Sequence, residues 1–217
     1  MARSRSPVAL TFAPPGEWVI GIDEAGRGCL AGPVTAGAVL LHGPMDALAD
    51  SKALTSAKRL ALVPTIQAGS VWAVEHATHE EIDQINILQA TFLAMTRALD
   101  AVLAQLPEGS TGQIWVDGNR APPISRPGWT LHTFIGGDAS HAPIAAASIL
   151  AKETRDAHMI AQAALYPAYG FEKHMSYGTP VHVAALMEHG PCAIHRLTFA
   201  PVRKALLAQE DRARAND

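Results

Sequence analysis

The chain has 217 residues, 48% of them hydrophobic and 17% charged, with a formal net charge of −3. That balance suits one well-packed globular domain, and no apolar run approaches the roughly 20 residues a membrane span needs. A slightly acidic chain is a poor general coat for nucleic acid, although local lysines and arginines can still grip a phosphate backbone.

The first 16 residues carry Arg3 and Arg5 but no apolar signal core, and are expected to form a flexible segment. Residues 17–22 read as a buried strand running straight into Asp23 and Glu24, then Gly26-Arg27-Gly28. Residues 35–41 form a second apolar strand after the Gly32-Pro33 break, and 70–78 a third. These three make an antiparallel meander interrupted by a helix, capped by Thr55 and disturbed at Pro64.

From 79 to 106 the period becomes helical. Ile82, Ile85, Leu88, Phe92, Met95, Leu99, Val102 and Leu103 mark one long or broken helix. Residues 113–117 are a strand ending in Asp117, followed by Gly118 and Asn119. A further strand, 129–135, is closed by Gly136-Gly137-Asp138. An alanine-rich helix over 143–165 leads to a Tyr/Gly-rich loop (166–179), a short helix (181–188) and a helical tail after Val202. The pattern is that of an α/β layered domain with a mixed sheet. One catalytic domain is expected over 17–200, with 201–217 a partly frayed tail.

Carboxylates placed where a buried strand surfaces are costly unless something positive binds them. Asp23, Asp117 and Asp138 share that setting, and one edge of an α/β sheet is where ligand sites collect. Any one of these acids alone would be better read as a solvated turn or cap former. Together they point to a divalent cation and, through it, to phosphate chemistry. Side chains alternate along a strand, so Asp23 and Glu24 should diverge; for both to reach metal, the strand is expected to end at about Asp23, with Glu24 just outside it. The cysteines, Cys29 and Cys192, are read as reduced thiols, no Cys/His spacing resembles a zinc site, and a cytoplasmic location is expected.

Ile22-Asp23-Glu24-Ala25-Gly26-Arg27-Gly28, Leu30-Ala31-Gly32-Pro33-Val34, Asp50-Ser51-Lys52, Val116-Asp117-Gly118-Asn119 and Gly137-Asp138 stand in one order along the chain. The run from Ala146 to Lys152, then Tyr177-Gly178-Thr179 and His195-Arg196, continue it. Together they resemble ribonuclease HII, the type 2 ribonuclease H family. The resemblance implies a ribonuclease H-like fold: a five-stranded mixed sheet flanked by helices, with a helical C-terminal portion. It implies an endonuclease that cuts 5′ of a ribonucleotide in RNA–DNA hybrids, or at single ribonucleotides in duplex DNA, leaving a 3′-hydroxyl and a 5′-phosphate. Two Mg²⁺ or Mn²⁺ ions are implied at Asp23, Glu24, Asp117 and Asp138, with Asp156 the rival fourth carboxylate. Substrate contacts are implied or suggested at Gly26, Arg27, Gly28, Lys52, Asn119 and Tyr177. The protein is expected to be a monomer that meets no membrane.

Met175-Ser176 stand where the family commonly has Lys-Gly, which bears on loop shape before Tyr177. Among rival readings, ribonuclease HIII relatives usually carry an extra N-terminal domain. A proofreading-type exonuclease would not call for the Gly-Arg-Gly and Tyr-Gly-Thr blocks. A binding module without activity would not require four acids.

Overall fold

The structure is a computed structural model that describes residues 10–14, 16–48 and 55–215. Five strands, β1 (Val19–Ala25), β2 (Val34–Leu41), β3 (Ser70–Ala77), β4 (Gly112–Asp117) and β5 (Trp129–Phe134), form one sheet in the order β3-β2-β1-β4-β5. The β1-β2-β3 portion is the expected antiparallel meander, while β4 and β5 run parallel to β1. Six helices accompany the described strands: α1 (Ser56–Ala68), α2 (His79–Leu103), α3 (Ala142–Leu165), α4 (Phe171–His174), α5 (Pro180–His189) and α6 (Ala200–Ala215).

The helix α2 covers one face. Its Ile82, Met95, Leu99 and Val102 bury against Ile20, Ile22, Ile114 and Val116 of the sheet. Thr78 caps it in a reciprocal pair with Glu81. The helix breaks at Asn86 (φ 68°), whose side chain caps the following turn by accepting from the Leu88 and Gln89 N–H groups. The expected long or broken helix is thus a kinked one.

On the opposite face lies α3, brought close by small residues. A Cβ at Gly21 would overlap the backbone of Pro143 and Ile144, and one at Gly37 the backbone of Ala147. Glycine in the strands and alanine in the helix let the two backbones approach. That approach sets α3 beside the strand ends that carry the acids.

Away from the acids, two elements differ from expectation. The helix α1 continues through Pro64, because the proline lies on an exposed face where the lost hydrogen bond to the preceding turn can be met by water. The loop 166–179 contains α4 and a 3₁₀ turn at Pro167–Tyr169. The C-terminal tail is anchored at its start: Val202 and Ala205 bury with Met159, Phe171 and Leu186. Among the described residues no helix is long and apolar enough to cross a membrane.

Candidate active site

The parallel pairing of β1 with β4 places Ile22 opposite Val116, so Asp23 and Asp117 emerge side by side from adjacent strand ends. Alternation puts both on the α3 face, since Ile22 and Val116 point into the α2 core. Asp23 is buried, accepts the Glu24 N–H at 2.7 Å and takes a hydrogen bond from the Ser148 hydroxyl of α3.

Glu24 does not lie outside the strand. Pairing with β4 stops at Ile22, but pairing with β2 runs on through Glu24↔Ala36 and Ala25↔Thr35. The antiparallel partner keeps β1 extended past the acids, and Asp23 and Glu24 leave by opposite faces of the sheet edge. Glu24 meets Arg27, whose guanidinium donates to it at 3.0 Å.

Desolvation is the main cause that raises the Asp23 carboxyl well above its ordinary 3.8; the charges of Glu24 and Asp117 add to it. Desolvation also raises Glu24, partly opposed by Arg27 and reinforced by Asp117. Three carboxylates therefore share a site short of positive charge. Oxygen-only donors with excess negative charge fit a hard divalent cation.

Other donors hold these groups in the present arrangement. Asp117 Oδ1 accepts the Gly137 N–H at 2.6 Å and lies 3.4 Å from the Asp138 N–H. Asp138 thus joins the group through its backbone, from the 3₁₀ turn Gly137–Ala139. Among the described residues, no three His, Cys, Asp or Glu side chains are drawn close enough to hold one ion between them. Asp156 is engaged elsewhere, with Lys152 Nζ at 2.6 Å.

The loop after β1 presents Arg27 and Gly28 to solvent, while Gly26 is buried at φ 92° against the Arg155 side chain. A bridge between Cys29 and Tyr177 brings the second substrate-reading block alongside. The Tyr177 ring is 44% exposed, with Lys152 Nζ 5.9 Å from its centroid. Asn119 lines a cleft with Glu24, Arg27, Asp117 and Arg120. Lys52, with the rest of Asp50-Ser51-Lys52, lies outside the described residues.

The missing glycine before Tyr177 now has a physical account. Met175 and Ser176 both occupy left-handed backbone (φ 47° and 61°). The buried Ser176 hydroxyl donates to Ala31 O at 2.8 Å and accepts from Arg155 Nη2 at 2.8 Å. These bonds offset a backbone cost glycine would not incur. Arg120 escaped the sequence reading, while Ser148 and Ser176 were visible there only within their blocks, without the contacts they make. The signal for Arg120 was its place one residue after Asn119.

Behind Tyr177 the hydrogen bonds settle two histidine tautomers. Tyr177 O can only accept, so His182 Nδ1, 3.0 Å away, carries the proton. His182 Nε2 then accepts from His195 Nε2–H at 3.1 Å, leaving His195 Nδ1 to accept the Cys192 N–H at 2.9 Å. Both cysteines are free thiols, and Cys192 Sγ stands 3.1 Å from the same nitrogen.

Burial lowers both histidines, His195 to about 4. For a base with a depressed native pKa, stability is present above 6.5 and lost as pH falls toward that native value. The denaturation midpoint is expected to drop between pH 6.5 and 4, with up to about 3 kcal/mol lost through His195. His195→Asn should flatten this drop; an unchanged pH profile of urea unfolding in that variant would contradict the assignment.

The ribonuclease HII family profile matches residues 20–202. The chain is 50% identical to ribonuclease HII of Sphingopyxis alaskensis over 206 residues, 94% of this chain and 99% of that one. Among solved structures, ribonuclease H2 of Pyrococcus horikoshii aligns with a TM-score of 0.70 at 25% identity, over 91% of this chain and 99% of that one. A Bst-RNase HIII solved in complex with Mn²⁺ aligns with a TM-score of 0.73 at 20% identity, over 94% and 72%. The last shows likeness of fold.

Proposed function

Because the chain belongs to the ribonuclease HII family of RNase H endonucleases, we propose that it hydrolyses the phosphodiester 5′ of a ribonucleotide, in RNA–DNA hybrids and at single ribonucleotides embedded in duplex DNA. The observation that supports this reading is that Asp23, Glu24 and Asp117 emerge from the adjoining ends of β1 and β4 and repel one another there, beside the exposed Arg27-Gly28 turn. Asp23, Glu24, Asp117 and Asp138 would hold two Mg²⁺ or Mn²⁺ ions, which when bound supply an activated water, neutralise phosphate charge and stabilise the leaving oxygen.

The chain's own residues do the rest. Water oxygen forms the new bond to phosphorus and the 3′ oxygen of the preceding nucleotide leaves, giving a 3′-hydroxyl and a 5′-phosphate on the ribonucleotide. The ribose 2′-hydroxyl is thus a recognition group and not the nucleophile. Backbone groups of Gly26-Arg27-Gly28 read that hydroxyl, which separates RNA from DNA at this position. Tyr177 packs on the next sugar, favouring an RNA-to-DNA junction, with Lys152 at its ring.

Arg27, paired with Glu24 here, would be available to substrate phosphate with Glu24 holding a metal ion instead. Asn119 and Lys52 add contacts, and Arg120 joins them from the cleft wall. The same reading makes the protein a cytoplasmic monomer with one catalytic domain over 17–200, removing ribonucleotides from DNA.

Asp117→Asn keeps an acceptor for the Gly137 N–H but loses the charge, so the variant should fold and lose activity by about 10³-fold or more. Circular dichroism and nicking of a one-ribonucleotide duplex in Mg²⁺ check this. Undiminished cleavage by the variant, or by the parent in excess chelator, would sink the metal mechanism.

A further inference from the structure

Arg155 and Arg196 are the two largest side chains buried below 2% exposure, and the bonds they make are to backbone carbonyls and one hydroxyl. A buried guanidinium without a carboxylate partner is costly unless its donors are filled. Arg196 fills them from the loop between β1 and β2. Its Nη2 donates to Gly26 O at 2.8 Å and Pro33 O at 3.0 Å, its Nη1 to Arg27 O at 3.0 Å, and its Nε to Gly32 O at 3.0 Å. Pairing of the neighbouring backbone, Arg196 N–H to Leu30 O at 2.9 Å and Gly32 N–H to Ile194 O at 2.9 Å, fixes the guanidinium's approach.

Two of those carbonyls belong to the peptide planes on either side of Arg27. In a trans peptide the C=O and N–H point in opposite directions, and no peptide bond here is cis. Drawing Gly26 O and Arg27 O inward therefore turns the Arg27 and Gly28 N–H groups outward. Both residues are exposed, and among the described residues neither N–H meets a protein acceptor. Among the described residues the site thus carries two outward-turned, unfilled donors beside Glu24.

We propose that Arg196 is a positioning residue for sugar discrimination: from inside the core it sets the peptide planes of 26–28 so that the Arg27 and Gly28 N–H groups meet the ribose 2′-hydroxyl. This rests on the reading that the loop senses that hydroxyl. Arg155 supports the same loop differently, joining Ala31 and Pro33 to Met175 and Ser176, and so sets the distance to Tyr177.

Lysine keeps the charge but lacks the planar fork that reaches four carbonyls at once. The test compares Asp117→Asn with Asp117→Asn/Arg196→Lys, so that bound duplexes stay uncut. Affinity is measured by fluorescence anisotropy for one duplex with a single ribonucleotide and the same duplex in all-DNA form. The preference for the ribonucleotide duplex should fall about tenfold in the lysine variant, with all-DNA affinity unchanged.

Equal weakening on both duplexes, with the preference kept, makes Arg196 a structural residue and overturns the proposal while sparing the reading beneath it. A parent that binds both duplexes alike overturns reading and proposal together. If the lysine variant does not fold, amide NMR of the Asp117→Asn protein decides. The Arg27 and Gly28 signals should exchange rapidly with water and shift on adding the ribonucleotide duplex but not all-DNA; signals that stay put overturn the proposal.

Discussion

Asp23→Asn is expected to abolish cleavage, by about 10³-fold or more, while raising the thermal midpoint of the metal-free protein. Both effects come from one buried charge. Asp23 is 6% exposed, and desolvation with the repulsion of Glu24 and Asp117 raises its pKa well above 3.8. An acid with a raised native pKa contributes stability below its unfolded pKa and loses it as pH rises through the native value. The ionised group is therefore a cost to the fold at neutral pH.

Asparagine keeps the acceptor for the Glu24 N–H and the Ser148 hydroxyl without that charge. At pH 7 in chelator the midpoint should rise by about 2–4 °C, the shift about 1 kcal/mol produces in a chain of this size. The gain should vanish toward pH 4, and adding Mn²⁺ should stabilise the parent more than the variant. A variant less stable than the parent at neutral pH would mean that Asp23 is held by something other than metal.

Arg155→Met is expected to cost about 3–5 kcal/mol, because three carbonyls and the Ser176 hydroxyl lose a buried cationic donor together. That loss corresponds to a fall of about 6–20 °C in the midpoint. Ser176→Ala removes one of those partners and should cost about 1 kcal/mol. Chemical unfolding of both variants checks the order. A loss under about 1 kcal/mol in Arg155→Met would show that water reaches the loop carbonyls.

These two residues differ in how far the sequence announced them. Asp23 could be found because an apolar strand running into carboxylates breaks a local rule, and such breaks mark functional sites. The meander, β4, β5 and α3 were readable for a related reason: strand alternation and alanine-rich spacing are carried by side chains. Arg155 and Arg196 were not readable as a clasp, since their partners are backbone carbonyls, which every residue has. His195-Arg196 was visible only as part of a family-like block.

The end of β1 failed for a comparable reason. The need for both acids to reach one metal site suggested an early exit, but whether a strand continues depends on its neighbour, and β2 is still paired at Ala25↔Thr35. A chain-local pattern does not show which partner strand outlasts the other. The same holds for Ser148, one polar letter in an alanine-rich helix until α3 packs on the sheet and sets it beside Asp23.

The most direct test of the proposed activity uses three end-labelled duplexes in Mg²⁺ or Mn²⁺: all-DNA, one embedded ribonucleotide, and a continuous RNA–DNA hybrid. The expected result is a single nick on the 5′ side of the embedded ribonucleotide, with 3′-hydroxyl and 5′-phosphate ends. The hybrid should also be cut, all-DNA left intact, and nothing cleaved in chelator. Cleavage of the long hybrid alone, or a nick on the 3′ side of the ribonucleotide, would contradict it.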